Sequence, residues 1–271
     1  MTDVHTVTNL ADAARQIGPD SVYLGGGTVL MRDVNSGYGP PRLVRATDPS
    51  LRQINALGDR VTLGAGVTMA QILAQPDLAF LHPVARMIGG PQVRVMATVG
   101  GNLFAPHPYG DFAVALLALG ARVTMAGTSA GSGQAVDDVL RGRDRPSGLV
   151  AAIEIPRPAP DAFGFKKVAR VKPKGVSVLS IAVLAPRAGG RISGARVAWG
   201  AMAPGPVRGQ SVERVLEGQA LDTSTIARAA QVAVDGLDPP TDALATTWYR
   251  KEVAGVHLTR LLNDMQAGGS R

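Results

Sequence analysis

The stretch that most constrains this 271-residue chain is Ala97-Thr98-Val99-Gly100-Gly101-Asn102-Leu103, closely followed by Pro106-His107-Pro108-Tyr109-Gly110-Asp111. Paired glycines carry no Cβ, so their backbone amides can come within hydrogen-bonding distance of an anionic ligand. Thr98 and Asn102 flank the pair and bring side-chain donors to the same place. Asp111 then precedes an apolar run, Phe112 to Leu119, that stops at Gly120. That order predicts an N-cap, a short buried helix and a C-cap glycine. The competing reading of the glycines is a plain turn between two strands, and the local pattern weighs the two equally.

A second glycine run lies nearer the start. Ser21 to Leu24 reads as a strand that opens into Gly25-Gly26-Gly27-Thr28-Val29-Leu30, another cradle for phosphate oxygens. Leu30 stands where the last glycine of a dinucleotide fingerprint would fall, and the Lys-Ser/Thr pair of a P-loop is missing. Neither a Rossmann nor a P-loop site is predicted.

Around these runs, helices are expected over Asn9–Ile17, over Met69–Leu73 with Thr68 as N-cap, and over Pro83–Ile88. Strands are expected over Arg60–Val67, Ala121–Ala126 and Leu149–Ile155, with a loop from Gly127 to Gly133. Helices and strands thus alternate up to Ile155, an α/β or α+β pattern. Pro156-Arg157-Pro158-Ala159-Pro160 breaks the composition and marks the expected domain boundary. Beyond it, strands over Phe163–Val171, Val176–Leu184 and Ile192–Met202 precede helices over Val212–Glu217, Thr225–Val234 and Thr246–Met265. That order predicts an α+β domain, a sheet with helices on one face.

Composition narrows the chemistry. With no cysteine the chain can form no disulfide and hold no iron–sulfur cluster through thiolates. The net charge of +7 admits an anionic ligand, but the arginines are scattered and no nucleic-acid motif accompanies them, so nucleic acid is not expected. The opening residues lack signal-peptide character, and no apolar run reaches the ~18–20 residues of a membrane span. A cytoplasmic protein is expected.

His5, His82, His107 and His257 match no metal spacing, and no G-x-S-x-G elbow supplies a nucleophile. His107 and Asp111 are four apart, but Pro108 between them keeps them off a common helix face. His107 reads as a loop residue touching ligand or solvent. Lys166 to Lys174 holds five cations and no acid. It is either a solvated edge strand or a positive field beside an anionic cofactor, with equal weight. Two cradles without acid–base or nucleophilic machinery describe a chain whose chemistry belongs to a bound cofactor. Two cradles suit a pyrophosphate, and FAD is the natural candidate.

Leu24-Gly25-Gly26-Gly27-Thr28, Gln92-Val93-Arg94, Ala97-Thr98-Val99-Gly100-Gly101-Asn102, Pro108 and Asp111 together resemble the flavin-binding medium subunit of molybdenum hydroxylases. These are the carbon monoxide dehydrogenase and xanthine dehydrogenase-type enzymes. The likeness runs the full length, and Glu154-Ile155-Pro156 and Tyr249-Arg250 also fit. The resemblance implies a p-cresol methylhydroxylase-type FAD-binding domain over 1–157 and a smaller α+β C-terminal domain over 161–271. It implies that Tyr23, Leu24, Gly25, Gly26, Gly27, Thr28, Val29 and Leu30 line the pyrophosphate and flavin. Thr98, Val99, Gly100, Gly101 and Asn102 would bind the other side of the cofactor, with Asp111 hydrogen-bonded to it. Ile88 and Val150 would be apolar neighbours, and Lys166 would approach the flavin from the second domain.

The same resemblance implies a division of labour. A separate large subunit would carry the molybdenum cofactor and act on substrate. A small subunit would carry two [2Fe–2S] clusters and pass electrons to FAD in this chain, and from there to an external acceptor. The assembly implied is a dimer of heterotrimers, with no catalytic side chain or metal in this subunit. Three positions depart from the pattern: Val29 stands where many members have an acid, Val95 where many have asparagine, and Lys174 where an aspartate is common. The last changes the charge near the flavin, so the family's usual electron acceptor is not carried over. Two alternatives stay open. One is a stand-alone FAD-dependent reductase or oxidase of the same fold, which needs a proton donor over the flavin that the sequence does not offer. The other is a partner protein that has lost the cofactor, which Val29 and Lys174 permit.

Overall fold

The computed structural model describes residues 2–127, 133–143, 148–171 and 175–268. The chain opens with β1 (Asp3–Val7), β2 (Ser21–Tyr23) and β3 (Arg42–Ala46), a parallel sheet in the order β1-β3-β2. Parallel neighbours need crossovers, and α1 (Leu10–Arg15) and α2 (Leu30–Asn35) supply them. Asn9 caps α1 by accepting from the Asp12 amide. Leu43 and Val44 on the central strand are buried.

The second sheet is antiparallel. It comprises β4 (Ile54–Asn55), β5 (Arg60–Gly64), β6 (Arg122–Met125), β7 (Gln134–Ala135) and β8 (Val150–Pro156), in the order β4-β5-β8-β6-β7. Between β5 and β6 run α3 (Met69–Leu73), α4 (His82–Arg86), α5 (Pro91–Arg94), α6 (Val99–Leu103) and α7 (Asp111–Leu119), and α8 (Val136–Arg141) follows β7. Thr68 and Gln71 form a reciprocal capping box at the start of α3. Every residue of α7 is buried, because a helix apolar all round must lie inside. It ends at Gly120 with φ +66°, the left-handed C-cap that its sequence predicts.

The third sheet holds β9 (Phe163–Ala169), β10 (Ser177–Leu184), β13 (Arg196–Gly200) and β14 (Val207–Arg208) in the order β14-β13-β10-β9, while β11 (Arg187–Ala188) and β12 (Arg191–Ile192) form a separate two-stranded ribbon. The single strand expected over Ile192–Met202 is therefore divided between β12 and β13. Three helices, α9 (Gln210–Leu216), α10 (Thr223–Gln231) and α11 (Thr247–Gln266), cover one face of this sheet. The other face is covered by α7 from the first half of the chain.

The alternation of side chains along a strand explains the arrangement. Ile181, Val183, Val197 and Trp199 belong to the apolar core beneath α9–α11. The small Ala182 and Ala198 point the other way, into the larger core around α7. Small residues let a fully buried helix sit close to the sheet. No described helix is long and apolar enough to cross a membrane.

Candidate functional site

Both glycine runs border one cleft of about 1460 Å³. Its walls come from the loop after β2 and the start of α2, the Arg45–Leu51 turn, the Met96–Asp111 segment, β8, and Lys167 on β9. Tyr23, Leu24, Gly25, Gly26, Gly27, Thr28, Val29, Leu30, Ile88, Thr98, Gly100, Gly101, Asn102, Asp111 and Val150 all line it. The two runs touch each other at its floor. A Cβ on Gly26 would stand 1.8 Å from the Met96 carbonyl oxygen, and one on Gly25 would stand 3.3 Å from Thr98 Oγ1. Gly26 is there because nothing larger lets the two loops meet.

The runs then differ. Gly100 and Gly101 lie in a helix, not in a turn between strands: Thr98 caps α6 by accepting from the Gly101 amide at 3.1 Å. Val99 N–H donates to the Val67 carbonyl and Gly100 N–H to the Ala65 carbonyl, each at 2.9 Å. The amides of Val99, Gly100 and Gly101 thus already have protein acceptors. The glycines of this run give closeness instead, since a Cβ on Gly100 would meet Ala65 Cβ at 2.9 Å.

Along the first run, only Leu24 is tied back, its N–H donating to the Val44 carbonyl. The amides of Gly25, Gly26, Gly27, Thr28 and Val29 have no acceptor among the described residues. Gly27, at φ +69°, turns the chain there in a conformation that favours glycine. Successive free amides in a concave loop make a ready anion site.

Charge points the same way. Arg32, Arg45, Arg52, Arg143 and Lys167 line the cleft against Asp33, Asp48 and Asp111, an excess of positive charge. The Ser50 hydroxyl and amide, with the Leu10 amide, hold the Asp48 carboxyl below its usual range despite partial burial. Burial pushes the Tyr23 phenol above its ordinary value, so it stays neutral. The free amides, the net positive walls and the volume fit an anionic dinucleotide such as FAD.

Some expected residues have other work. Asp111 is the first residue of α7, not its N-cap; Gly110, at φ +96°, holds that position. The cap is made from afar, because Asn102 Oδ1 accepts from the Phe112 amide at 2.9 Å. Asp111 Oδ1 accepts from Ser177 Oγ at 2.6 Å, and Oδ2 pairs with Lys167 Nζ at 2.8 Å. Both charged side chains are nearly buried, so this carboxylate ties α7 to β9 and β10. Val99 turns away into the core.

Lys166 does not border the cleft: its Nζ lies 3.4 Å from Asp264 on α11. Its neighbour Lys167 is the lysine that does. Successive strand residues face opposite sides, and only the register of β9 against β10 decides which one turns inward. His107 does not border the cleft, and its side chain, only partly exposed to solvent, is engaged by the protein itself. Its Nε2–H donates to Asp242 Oδ2 at 2.6 Å, and Asp242 also accepts two bonds from the fully buried Arg250. Burial alone would raise the Asp242 carboxyl; bonds from His107, the Ala245 amide, Arg250 and the Leu244 amide outweigh it and hold it well below the usual range. Val95 is exposed outside the cleft, and Lys174 lies outside the described residues. Missed at sequence level are Arg32 and Tyr109, two cleft residues from opposite walls, which no local pattern pairs.

Residues 1–158 match the family model of the FAD binding domain in molybdopterin dehydrogenase, and residues 164–265 match the CO dehydrogenase flavoprotein C-terminal domain. The chain is 28% identical over 279 residues to the carbon monoxide dehydrogenase medium chain of Afipia carboxidovorans, covering 98% of this chain and 96% of the relative. It is 29% identical over 204 residues to the glyceraldehyde dehydrogenase medium chain of Sulfolobus acidocaldarius, 72% of each. Among solved structures it is similar to the carbon monoxide dehydrogenase of Hydrogenophaga pseudoflava that lacks the Mo-pyranopterin moiety. There the TM-score is 0.90 at 25% identity, covering 99% of this chain and 98% of that one. The chain therefore belongs to the FAD-binding family of the molybdopterin dehydrogenases, as an oxidoreductase subunit of the carbon monoxide dehydrogenase and xanthine dehydrogenase type.

Proposed function

We propose that this chain is the FAD-carrying electron-transfer subunit of a molybdenum-containing hydroxylase. The observation that carries this reading is the row of free amides from Gly25 to Val29 on a cleft wide enough for a dinucleotide. Those amides would hold the diphosphate, and the N-terminal half of the chain, 1–157, would be the cofactor domain. Ile88 and Val150 would give apolar contact to the ring system, with Asn102, Asp111 and Lys167 as its polar neighbours. Lys166 is left out of the site, its amine being on Asp264.

When bound, FAD would supply the one- and two-electron exchange that links the [2Fe–2S] clusters of a small subunit to an external acceptor. The chain has no cysteine with which to ligate such clusters itself, which supports placing them in another subunit. The molybdenum cofactor would sit in a large subunit, and the assembly would be a dimer of heterotrimers in the cytoplasm. The region 161–271 would brace the cofactor domain through Asp111–Lys167 and His107–Asp242.

A visible spectrum of the purified chain, with the released cofactor identified by mass, tests the reading. Near-stoichiometric FAD is the expected result. A colourless chain that also fails to take up added FAD would overturn it.

A further inference from the structure

Two cleft residues from opposite walls meet across its mouth. Arg32, on α2, donates from Nη1 to the Tyr109 hydroxyl at 2.8 Å, and its guanidinium carbon lies 4.8 Å from the Tyr109 ring centroid. Tyr109 belongs to the turn before α7, with its own amide bonded to the Pro106 carbonyl. The contact joins segments 77 residues apart in sequence. Arg32 is also bound to the glycine loop from behind, because its amide donates to the Val29 carbonyl at 3.0 Å. Its other guanidinium N–H groups have no acceptor among the described residues.

The other cleft cations differ. Lys167 is neutralised by Asp111, and Arg143 donates to the Ala105 carbonyl. Arg45 and Arg52 are exposed, as Arg32 is, but have no aromatic ring to hold them. Arg32 alone of the described residues combines an aromatic face with a position next to the free amides.

We propose that Arg32 and Tyr109 form a strap over the anion cradle, in which Tyr109 holds the Arg32 guanidinium so that its free N–H groups meet the diphosphate of the bound dinucleotide. A guanidinium presents several donors in one plane and matches phosphate oxygens better than a lysine ammonium does. Holding it in place beforehand lowers the ordering cost of binding and slows release. Both residues act on the ligand's phosphates and not on its ring system. The inference rests on the reading that the Gly25–Val29 loop takes a diphosphate.

The test is a flavin titration of the full chain, freed of cofactor and followed by flavin fluorescence, with FAD and riboflavin as probes. Riboflavin has the ring and no phosphate. Arg32→Ala is expected to weaken FAD about tenfold, the loss of a hydrogen bond to a charged group, and to leave riboflavin unchanged. Tyr109→Leu is expected to raise the FAD release rate several-fold, and Tyr109→Phe, which keeps the ring, less. Far-UV circular dichroism checks that each variant folds. FAD affinity unaltered in Arg32→Ala, or riboflavin falling as far as FAD, would overturn the strap while leaving the cofactor reading in place. A wild-type chain that binds neither flavin would remove both.

Discussion

The two glycine runs look alike in sequence and act differently in the fold. Gly25–Gly27 and the residues after it keep their amides free and facing the cleft. Gly100 and Gly101 sit inside α6 with their amides bonded to the Ala65 carbonyl and Thr98 Oγ1. One run presents donors and the other lets backbones approach. The anchoring follows the same division. The second run is fastened on every side: Asn102 to Phe112, Asp111 to Lys167 and Ser177, His107 to Asp242. The first is tied by Leu24 to β3 and, across the cleft, by Arg32 to Tyr109. A rigid wall thus faces a loop whose donors are left for a ligand, which is how a site can be both preorganised and unoccupied by its own protein.

The largest expected effect comes from exchanging glycine for a small side chain in each run. In Gly26→Ala the new Cβ meets the Met96 carbonyl, a backbone group that cannot step aside. The loops must part, at a cost of about 3 kcal/mol, and flavin should be lost entirely. In Gly101→Val the clash is with Thr98 Oγ1 at 2.9 Å, and the rest of the side chain enters the cleft. Flavin binding should fall while the melting temperature stays close to wild type. Parallel flavin-to-chain ratios and thermal melts check both. Equal melting temperatures in the two variants would break the comparison.

A smaller effect is expected at the anchor of the second wall. Asp242 accepts from His107 and Arg250, and its folded carboxyl titrates below the unfolded value. A depressed folded pKa stabilises the native state above the unfolded pKa of about 3.9, and that contribution is lost as pH falls through and below it. Asp242→Asn should therefore lower stability at neutral pH by about 2 kcal/mol, the value of hydrogen bonds to a charged group, and flatten the acid limb of the pH–stability curve. Urea melts between neutral and acid pH check this. The same acid slope in both proteins would remove Asp242 as an anchor.

What could be read from the sequence was decided locally. Thr68 and Gly120 do their capping within a few residues, so their roles follow from their own neighbourhoods. The apolar run of α7 could bury itself in only one way. The glycine motifs both fall on one cleft, yet their division of labour is hidden in the sequence. The acceptor of the Gly100 amide, the Ala65 carbonyl, lies on a different element. Lys166 and Lys167 are a sharper case. Adjacent on one strand, they differ only in which face they take, and that face is set by pairing with β10, whose register shifts between Ser177 and Leu179. The partner of His107 lies 135 residues away, beyond any spacing argument.

Thr98 gives the finest test, because it touches both runs. Its hydroxyl accepts from the Gly101 amide and lies against Gly25. Its backbone also bridges to Thr68, the cap of α3. Thr98→Ala removes an N-cap oxygen, which costs about 1 kcal/mol, or roughly 2–4 °C in melting temperature for a chain of this size. It also frees the Gly101 amide, giving the second run the one thing that the first run has, a donor without a protein acceptor. If the runs differ because of where their amides go, this variant should be less stable and bind FAD no more weakly than wild type. Thr98→Ser, which keeps the cap, should restore the lost stability. A variant that kept its melting temperature and lost flavin would make the Thr98 hydroxyl a ligand contact and not a cap, and the second run would then have to be counted as part of the cradle.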